Sequence, residues 1–264
     1  MPEELSWKHG DRFVEDHMAK DYDYVYNRTL FAKSMYKDFS KEISNIISSK
    51  SKINSNKKIL ELGCGTGIIS FLLSHQDKRY NIQRYCLDFS INMLKIAKKR
   101  CSYCVQSDME SLPFKGSYFD VIYIHSALHH FPTFKKIMEE VRRILKPDGV
   151  LIIQEPPVSK IKKDFLLRSL AFFFRKIGIR QYEDVSHLEL KPSDHHAPIS
   201  YEFLISEMEH ANFIIEYKKL KYYSSRIFSG FDNLMIHKIG RLLDNYYIKK
   251  YNEGYMLLVI GRKK

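Results

Sequence analysis

Long apolar runs are missing from this chain, and no stretch approaches the length of a membrane span. Cysteine is scarce as well. The four residues Cys64, Cys86, Cys101 and Cys104 show no disulfide framework, which points to a reducing cytoplasm. Cys101 and Cys104 stand as C-x-x-C, but a structural zinc wants a second ligand pair at suitable spacing, and none is near. Internal repeats are absent, and the one low-complexity stretch, Ser48 to Lys58, reads as a linker into the first strand. The start, Met1-Pro2-Glu3-Glu4, is acidic and polar and does not read as a secretory signal.

What is present fits one globular domain. At 264 residues the chain can bury a large core, and 44% hydrophobic and 14% aromatic content exclude a disordered chain. The formal charge is +12 and the pI about 9.3. Such a charge can serve nucleic acid. Here the lysines are scattered over helix faces and ends, so nucleic acid is not the expected partner.

The densest signal is Ile59-Leu60-Glu61-Leu62-Gly63-Cys64-Gly65-Thr66-Gly67, followed by Ile68-Ile69. It reads as a buried strand, a tight turn and a helix start. Glycine is needed where the backbone takes positive φ or approaches a ligand closely, and a helix start turns N–H groups toward a ligand. Two ligand classes compete for such a turn. A dinucleotide fingerprint, G-x-G-x-x-G, would want its third glycine where Ile68 stands. The G-x-G-x-G spacing of Glu61 to Gly67 instead resembles the first motif of the class I methyltransferases that use S-adenosylmethionine.

Three further matches follow in order. Tyr85-Cys86-Leu87-Asp88 reads as a strand ending in a carboxylate, 21 residues after Gly67, where an acid can bind ribose hydroxyls. Ser90 suits a helix N-cap, with Lys98, Lys99 and Arg100 near the helix end. Asp88, Ser90, Met93 and Leu94 resemble the family pattern Asp-x-Ser-x-x-Met-Leu, which implies that Phe89 and Met93 pack near the adenine. Next, Gln106 to Phe114 contains Asp108, which by the resemblance would bind the adenine amino group, with Met109 beside the ring. Last, Ser117 to His125 reads as a buried strand, followed by Ser126-Ala127-Leu128-His129-His130, similar to the subgroup called type 11. The resemblance places Glu61, Gly63, Cys64, Gly65, Gly67 and His125 at the cofactor too. It is close over residues 55–160 and loose elsewhere.

The resemblance implies an α/β fold: a Rossmann-like seven-stranded sheet, six strands parallel and the last antiparallel, with helices on both faces and a helical lid. Residues 1–264 are then one methyltransferase domain, with an N-terminal helical cap (1–54), the cofactor core (55–160), a lid insertion (161–200) and a C-terminal part of the sheet (201–264). Thr133 is placed to cap a helix from Phe134 to Leu145. Lys146-Pro147-Asp148-Gly149 should stop it, with Asp148 where the family usually has glycine. Phe213 to Leu220 and Tyr255 to Ile260 read as an antiparallel strand pair flanking a Tyr-rich segment.

The flanks should set the acceptor. A helix from about Thr29 to Ile47 has apolar residues at helical spacing, and Tyr22 and Tyr26 before it are candidates to fold over the cofactor. Ile161 to Ile177 is apolar almost all round, with a narrow stripe of Asp164, Arg168 and Arg175. Such a helix must be buried, or face a greasy ligand or a membrane surface; a lid over the acceptor pocket is the expectation. Asp194-His195-His196 reads as a pocket-lining loop. Two adjacent His on a strand point to opposite sides and suit one metal poorly, so no metal is expected. His130, at the carboxyl end of the sheet, is the candidate base for an acceptor hydroxyl, and a wall-forming His is the plain alternative.

Three functional classes are compatible with these residues. One is a methyltransferase acting on a small molecule at O, N or C, of aromatic, quinone-like or lipid-linked kind. The second is an RNA or protein methyltransferase. Amino-methylating enzymes of the family carry Asn/Asp-Pro-Pro-aromatic after the fourth strand, and cytosine carbon methylation needs a Pro-Cys nucleophile. This chain has neither pattern in place. The third is a binding module that keeps the fold and the cofactor without turnover.

Overall fold

The computed structural model describes residue 17 and residues 19–27, 29–50, 56–76, 81–156, 164–179 and 199–264. Two helices open it, α1 (Tyr22–Asn27) and α2 (Leu30–Lys50). The alternating core follows: β1 (Lys57–Leu62), α3 (Ile68–Gln76), β2 (Ile82–Asp88), α4 (Ile91–Ala97), β3 (Tyr103–Gln106) and β4 (Phe119–His125). A 3₁₀ turn at Leu128–His130 leads to α5 (Lys135–Ile144) and β5 (Leu145–Glu155). Then come α6 (Phe165–Lys176), α7 (Tyr201–His210), β6 (Phe213–Lys221), α8 (Ser224–Ile227), α9 (Leu234–Tyr251) and β7 (Met256–Lys263).

The seven strands form one sheet in the order β3-β2-β1-β4-β5-β7-β6. β1 to β5 pair in parallel, and β7 lies antiparallel between β5 and β6. That is the expected arrangement of six strands one way and the last reversed. Alternation along each strand feeds two cores, because successive side chains point to opposite faces. Leu60, Ile122, Leu151 and Val259 face Ile137 and Val141 of α5 and Leu204 and Met208 of α7. Ile59, Val121, Ile152 and Leu258 face Phe39, Ile43 and Ile47 of α2 and Ile69 and Leu73 of α3. The strand order reverses at β1, between β2 and β4, and the crevice above its carboxyl end is where such sheets bind ligands.

Several local expectations need correction. Thr133 does not cap α5; Phe134 is its N-cap residue and gives no side-chain bond. The Pro-Asp-Gly stretch lies inside β5 rather than ahead of it, and Asp148 takes the positive φ of 59° that a glycine would take. Cys86 and Cys101 form a disulfide, against the expectation of none. The turn after α4 carries Cys101 back beside β2, a proximity made by packing that sequence spacing does not display. Of the alternatives open to the apolar helix α6, burial on all sides is the one the structure does not show. The helix seats Leu167 and Ala171 on a cluster with Tyr223, Phe228, Phe231 and Tyr247, and leaves Phe165, Leu166, Phe172 and Phe173 exposed. Asp194-His195-His196 lies outside the described residues, as does the side chain of Tyr26.

Candidate active site

The glycine turn is built by backbone conformation. Gly63, Gly65 and Gly67 have φ of 65°, 51° and 76°, a region that side chains with a Cβ rarely adopt. At Gly63 space adds a second demand, since a Cβ there would lie 2.5 Å from the Cβ of Ala127. The turn is tied from both sides. Asp88, at the end of β2, accepts a bond from the Gly65 N–H at 2.7 Å and another from the Ser90 N–H at 2.9 Å. Ser90 caps α4 as expected, accepting from the Met93 N–H. Burial pushes the Asp88 carboxyl up, and the amide bonds and the nearby His130 offset part of that.

Behind the turn lies a buried polar knot. Glu61 accepts from the Ser70 hydroxyl at 2.6 Å and from the Tyr123 hydroxyl at 3.2 Å. Burial pushes its carboxyl up to about 7, so near neutrality it is poised between acid and carboxylate. Burial and the neighbouring Asp88 and Glu61 carboxyls raise the Cys64 thiol well above its ordinary value, which keeps it protonated and a poor nucleophile. Tyr22, Tyr36, Glu61, Gly63, Cys64, Thr66 and His125 line one small cavity here.

His125 closes that cavity. Tyr36 and Phe39 hold its ring, each at 5.2 Å between centroids. Neither ring nitrogen has a hydrogen-bond partner among the described residues, and burial lowers its pKa to about 4, so the ring is neutral. Gln154, its cross-strand partner on β5, is fully buried with both amide atoms equally unpartnered among the described residues. Buried polar atoms without partners are costly. Two side by side at the carboxyl end of the sheet are suited to meet a polar ligand.

The other expected residues lie on the neighbouring elements. Met93 is buried on α4, and Met109 comes within 3.8 Å of where a Gly63 Cβ would stand. Asp108 accepts from the Glu110 N–H, and the Phe89 carbonyl from Gln106. His130 ends the 3₁₀ turn, its ring 4.4 Å from that of His129.

Two polar groups that organise this region escaped sequence reasoning. Glu155, at the end of β5, accepts from the Ala127 and Leu128 N–H groups at 2.6 and 2.8 Å and pairs with His129 Nδ1 at 2.9 Å. Burial would raise its carboxyl, but these bonds outweigh that and hold it below the usual range. One buried carboxylate therefore fixes the whole loop that presents the two His. Asp23 on α1 accepts from the Thr66 hydroxyl of the glycine turn and pairs with Arg100, which also donates to the Thr66 carbonyl. The Tyr22 ring thereby lies 3.8 Å from where a Gly65 Cβ would stand. Asp23 sits between the two tyrosines that marked this segment, but its own spacing gave no signal. Among the described residues no group of His, Cys, Asp and Glu could hold a metal ion.

A family model described as a methyltransferase domain matches residues 60–153. A demethylmenaquinone methyltransferase of Leptospira interrogans is 30% identical over 171 residues, which is 61% of this chain and 65% of the relative. A malonyl-[acyl-carrier protein] O-methyltransferase of Buchnera aphidicola is 34% identical over 126 residues, 46% of this chain and 49% of the relative. The matches therefore span less than two thirds of these curated relatives. A solved S-adenosylmethionine-dependent methyltransferase from Thermotoga maritima shares the fold, with a TM-score of 0.56 at 18% identity, over 96% of this chain and 99% of that one. With its reversed last strand, its glycine turn and a methyltransferase domain matched over residues 60–153, the chain is similar in fold and motif to the class I S-adenosylmethionine-dependent methyltransferases.

Proposed function

We propose that this protein moves the methyl group of S-adenosylmethionine to a small-molecule acceptor. The observation that carries the reading is the triple left-handed glycine turn held to Asp88 at the crevice beside β1. The cofactor supplies an electrophilic methyl group on a positively charged sulfur, and the protein supplies position and surroundings.

The residues fit that cofactor. Gly63, Gly65 and Gly67 let the backbone approach it, and the open lone pairs of Asp88 suit ribose hydroxyls. Asp108, Phe89, Met93 and Met109 would hold the adenine, and Glu61, Cys64 and His125 would line its amino-acid end. The unpartnered ring nitrogens of His125, in a cavity shared with Glu61, support this assignment. Acceleration comes from holding the acceptor atom in line with the methyl group. His130, on a loop fixed by Glu155, is the group we assign to remove a proton from a hydroxyl acceptor. A neutral amine acceptor would need it less.

The relatives named above act on a demethylmenaquinone and on an acyl carrier protein's malonyl group, and the shared region is the cofactor half. We assign an apolar acceptor, aromatic, quinone-like or lipid-linked, entering between the carboxyl edge of the sheet and the helices α2, α6, α8 and α9. The mixed cluster of Phe31, Met35, Tyr222 and Met256 at that edge supports it. Calorimetric titration with S-adenosylmethionine, S-adenosylhomocysteine and NADH tests the core of the reading. Micromolar binding of the first two and none of the third is expected. Binding of NADH alone would overturn it.

A further inference from the structure

The apolar side of α6 that faces outward is not covered among the described residues, and α9 beside it carries exposed apolar residues too. Phe165 is 84% exposed and Leu166 68%, with the exposed Phe172 and Phe173 two helical turns further on. On α9, Met235 and Leu242 are 72% and 80% exposed. The two helices are tied end to end. Asp164 at the start of α6 accepts from the Tyr251 hydroxyl and pairs with Lys250, and Phe174 near its end meets Phe231 ahead of α9. On the helical wheel Leu242 and Met235 lie together, about a quarter turn from Leu243 and Lys250, the residues on the side of α9 turned to α6. Each of the two neighbouring helices therefore carries an exposed apolar row. Scattered exposed apolar residues are ordinary, but a continuous row of large ones marks an interaction surface.

Charge selects the occupant. α6 carries Arg168, Arg175 and Lys176 and no acid. α9 carries Lys238, Arg241, Lys249 and Lys250, and its one acid, Asp244, is buried against Ser225. Arg241 turns to Asp38 of α2 and Lys250 to Asp164, which leaves five cations along the two helices, with no exposed carboxylate on either. Phe and Leu in the middle with Lys and Arg beside them is the composition of helices that lie in a bilayer interface, where the stems of the cations also bury against apolar surface. No helix among the described residues is long and apolar enough to cross a membrane, so the contact would be peripheral. We propose that the outer faces of α6 and α9 dock this protein on an anionic lipid surface. A bilayer-resident acceptor would make such docking useful, but the proposal stands without the methyl-transfer reading.

Co-sedimentation of the full chain with vesicles tests it. Binding to vesicles of phosphatidylcholine with phosphatidylglycerol should exceed binding to phosphatidylcholine alone by about tenfold or more, since each cation near an anionic surface adds attraction. The double variant Phe165→Glu, Phe172→Glu changes only exposed positions. It should lose binding while its circular dichroism and melting temperature stay those of the parent. Arg168→Glu with Lys176→Glu should remove the preference for anionic vesicles. Three outcomes overturn the proposal: no sedimentation of the folded parent, equal binding to both vesicle types, or unchanged binding of the Phe165→Glu, Phe172→Glu variant. Light scattering covers the other occupant. A parent that binds no vesicle but forms a dimer lost in that variant would show a self-association face instead.

Discussion

Asp88 has two roles in one side chain. Its oxygens accept from the Gly65 and Ser90 amides, so it shapes the glycine turn and the start of α4 before any ligand arrives. Its remaining lone pairs are those we assign to ribose. Asp88→Ala should therefore weaken S-adenosylmethionine binding by about 1–3 kcal/mol, the usual cost of losing a hydrogen bond to a charged group. Calorimetry reads the change, and an unaltered affinity would remove Asp88 from the cofactor. The first of these roles was invisible in the sequence, where only the position of an acid after a strand could be seen. Asp148 is a similar case. Its place in a Pro-Asp-Gly stretch was legible, but its left-handed φ was not, and it is tolerated because Asp and Asn adopt that region more readily than most residues. Glu155 gave no sequence signal at all, because the two amides and the ring it holds come from a different strand end.

Elements were legible in proportion to their periodicity. β1, β2 and β4 are short apolar runs buried on both faces and α2 has apolar residues at helical spacing, and the structure has them where the pattern put them. α6 was legible as an apolar helix, but not which of its sides is covered: Leu167 and Ala171, with Leu170 and Phe174, face the inner cluster and the rest is exposed. α1 is six residues long, too short for a period, and its role depends on a single contact. Asp23 joins it to Thr66 of the glycine turn and to Arg100 after α4. If α1 folds over the cofactor, as its Tyr22 beside Gly65 supports, removing that tie should let the cofactor leave faster. Asp23→Ala is expected to raise the dissociation constant for S-adenosylmethionine by about fivefold, a modest factor because the pair is partly exposed and screened. The melting temperature should hardly move, since α1 contributes little to either core. Stopped-flow dissociation separates the two effects, and an unchanged off-rate would mean that α1 is no gate.

At the scale of the molecule, two buried titratable groups of the cavity, Glu61 and His125, pull stability in opposite directions with pH. Glu61 is raised by burial from 4.5 to about 7. The folded state holds its proton where the unfolded chain has lost it, so this contribution is full below pH 4.5 and gone once pH exceeds about 7. The shift corresponds to about 3 kcal/mol. His125 is lowered by burial from 6.5 to about 4. Here the folded state refuses a proton that the unfolded chain takes up, so this contribution is full above pH 6.5 and is lost as pH falls toward about 4, again by about 3 kcal/mol. The windows overlap, and within them one group gains what the other loses. The parent protein should therefore show a flatter stability profile in mild acid than either group alone would give. Substitution separates them. Relative to the parent, Glu61→Gln should become more stable as pH rises from 4.5 to 7, because the variant has no carboxylate to ionise. His125→Asn should gain on the parent as pH falls from 6.5 to 4, because it has no ring to protonate. Denaturant unfolding of the three proteins across this range, with ligand absent, reads both tilts. Profiles that run parallel to the parent in both variants would show that neither group is held away from its ordinary value, and the neutral His125 assigned to the cofactor pocket would fall with them.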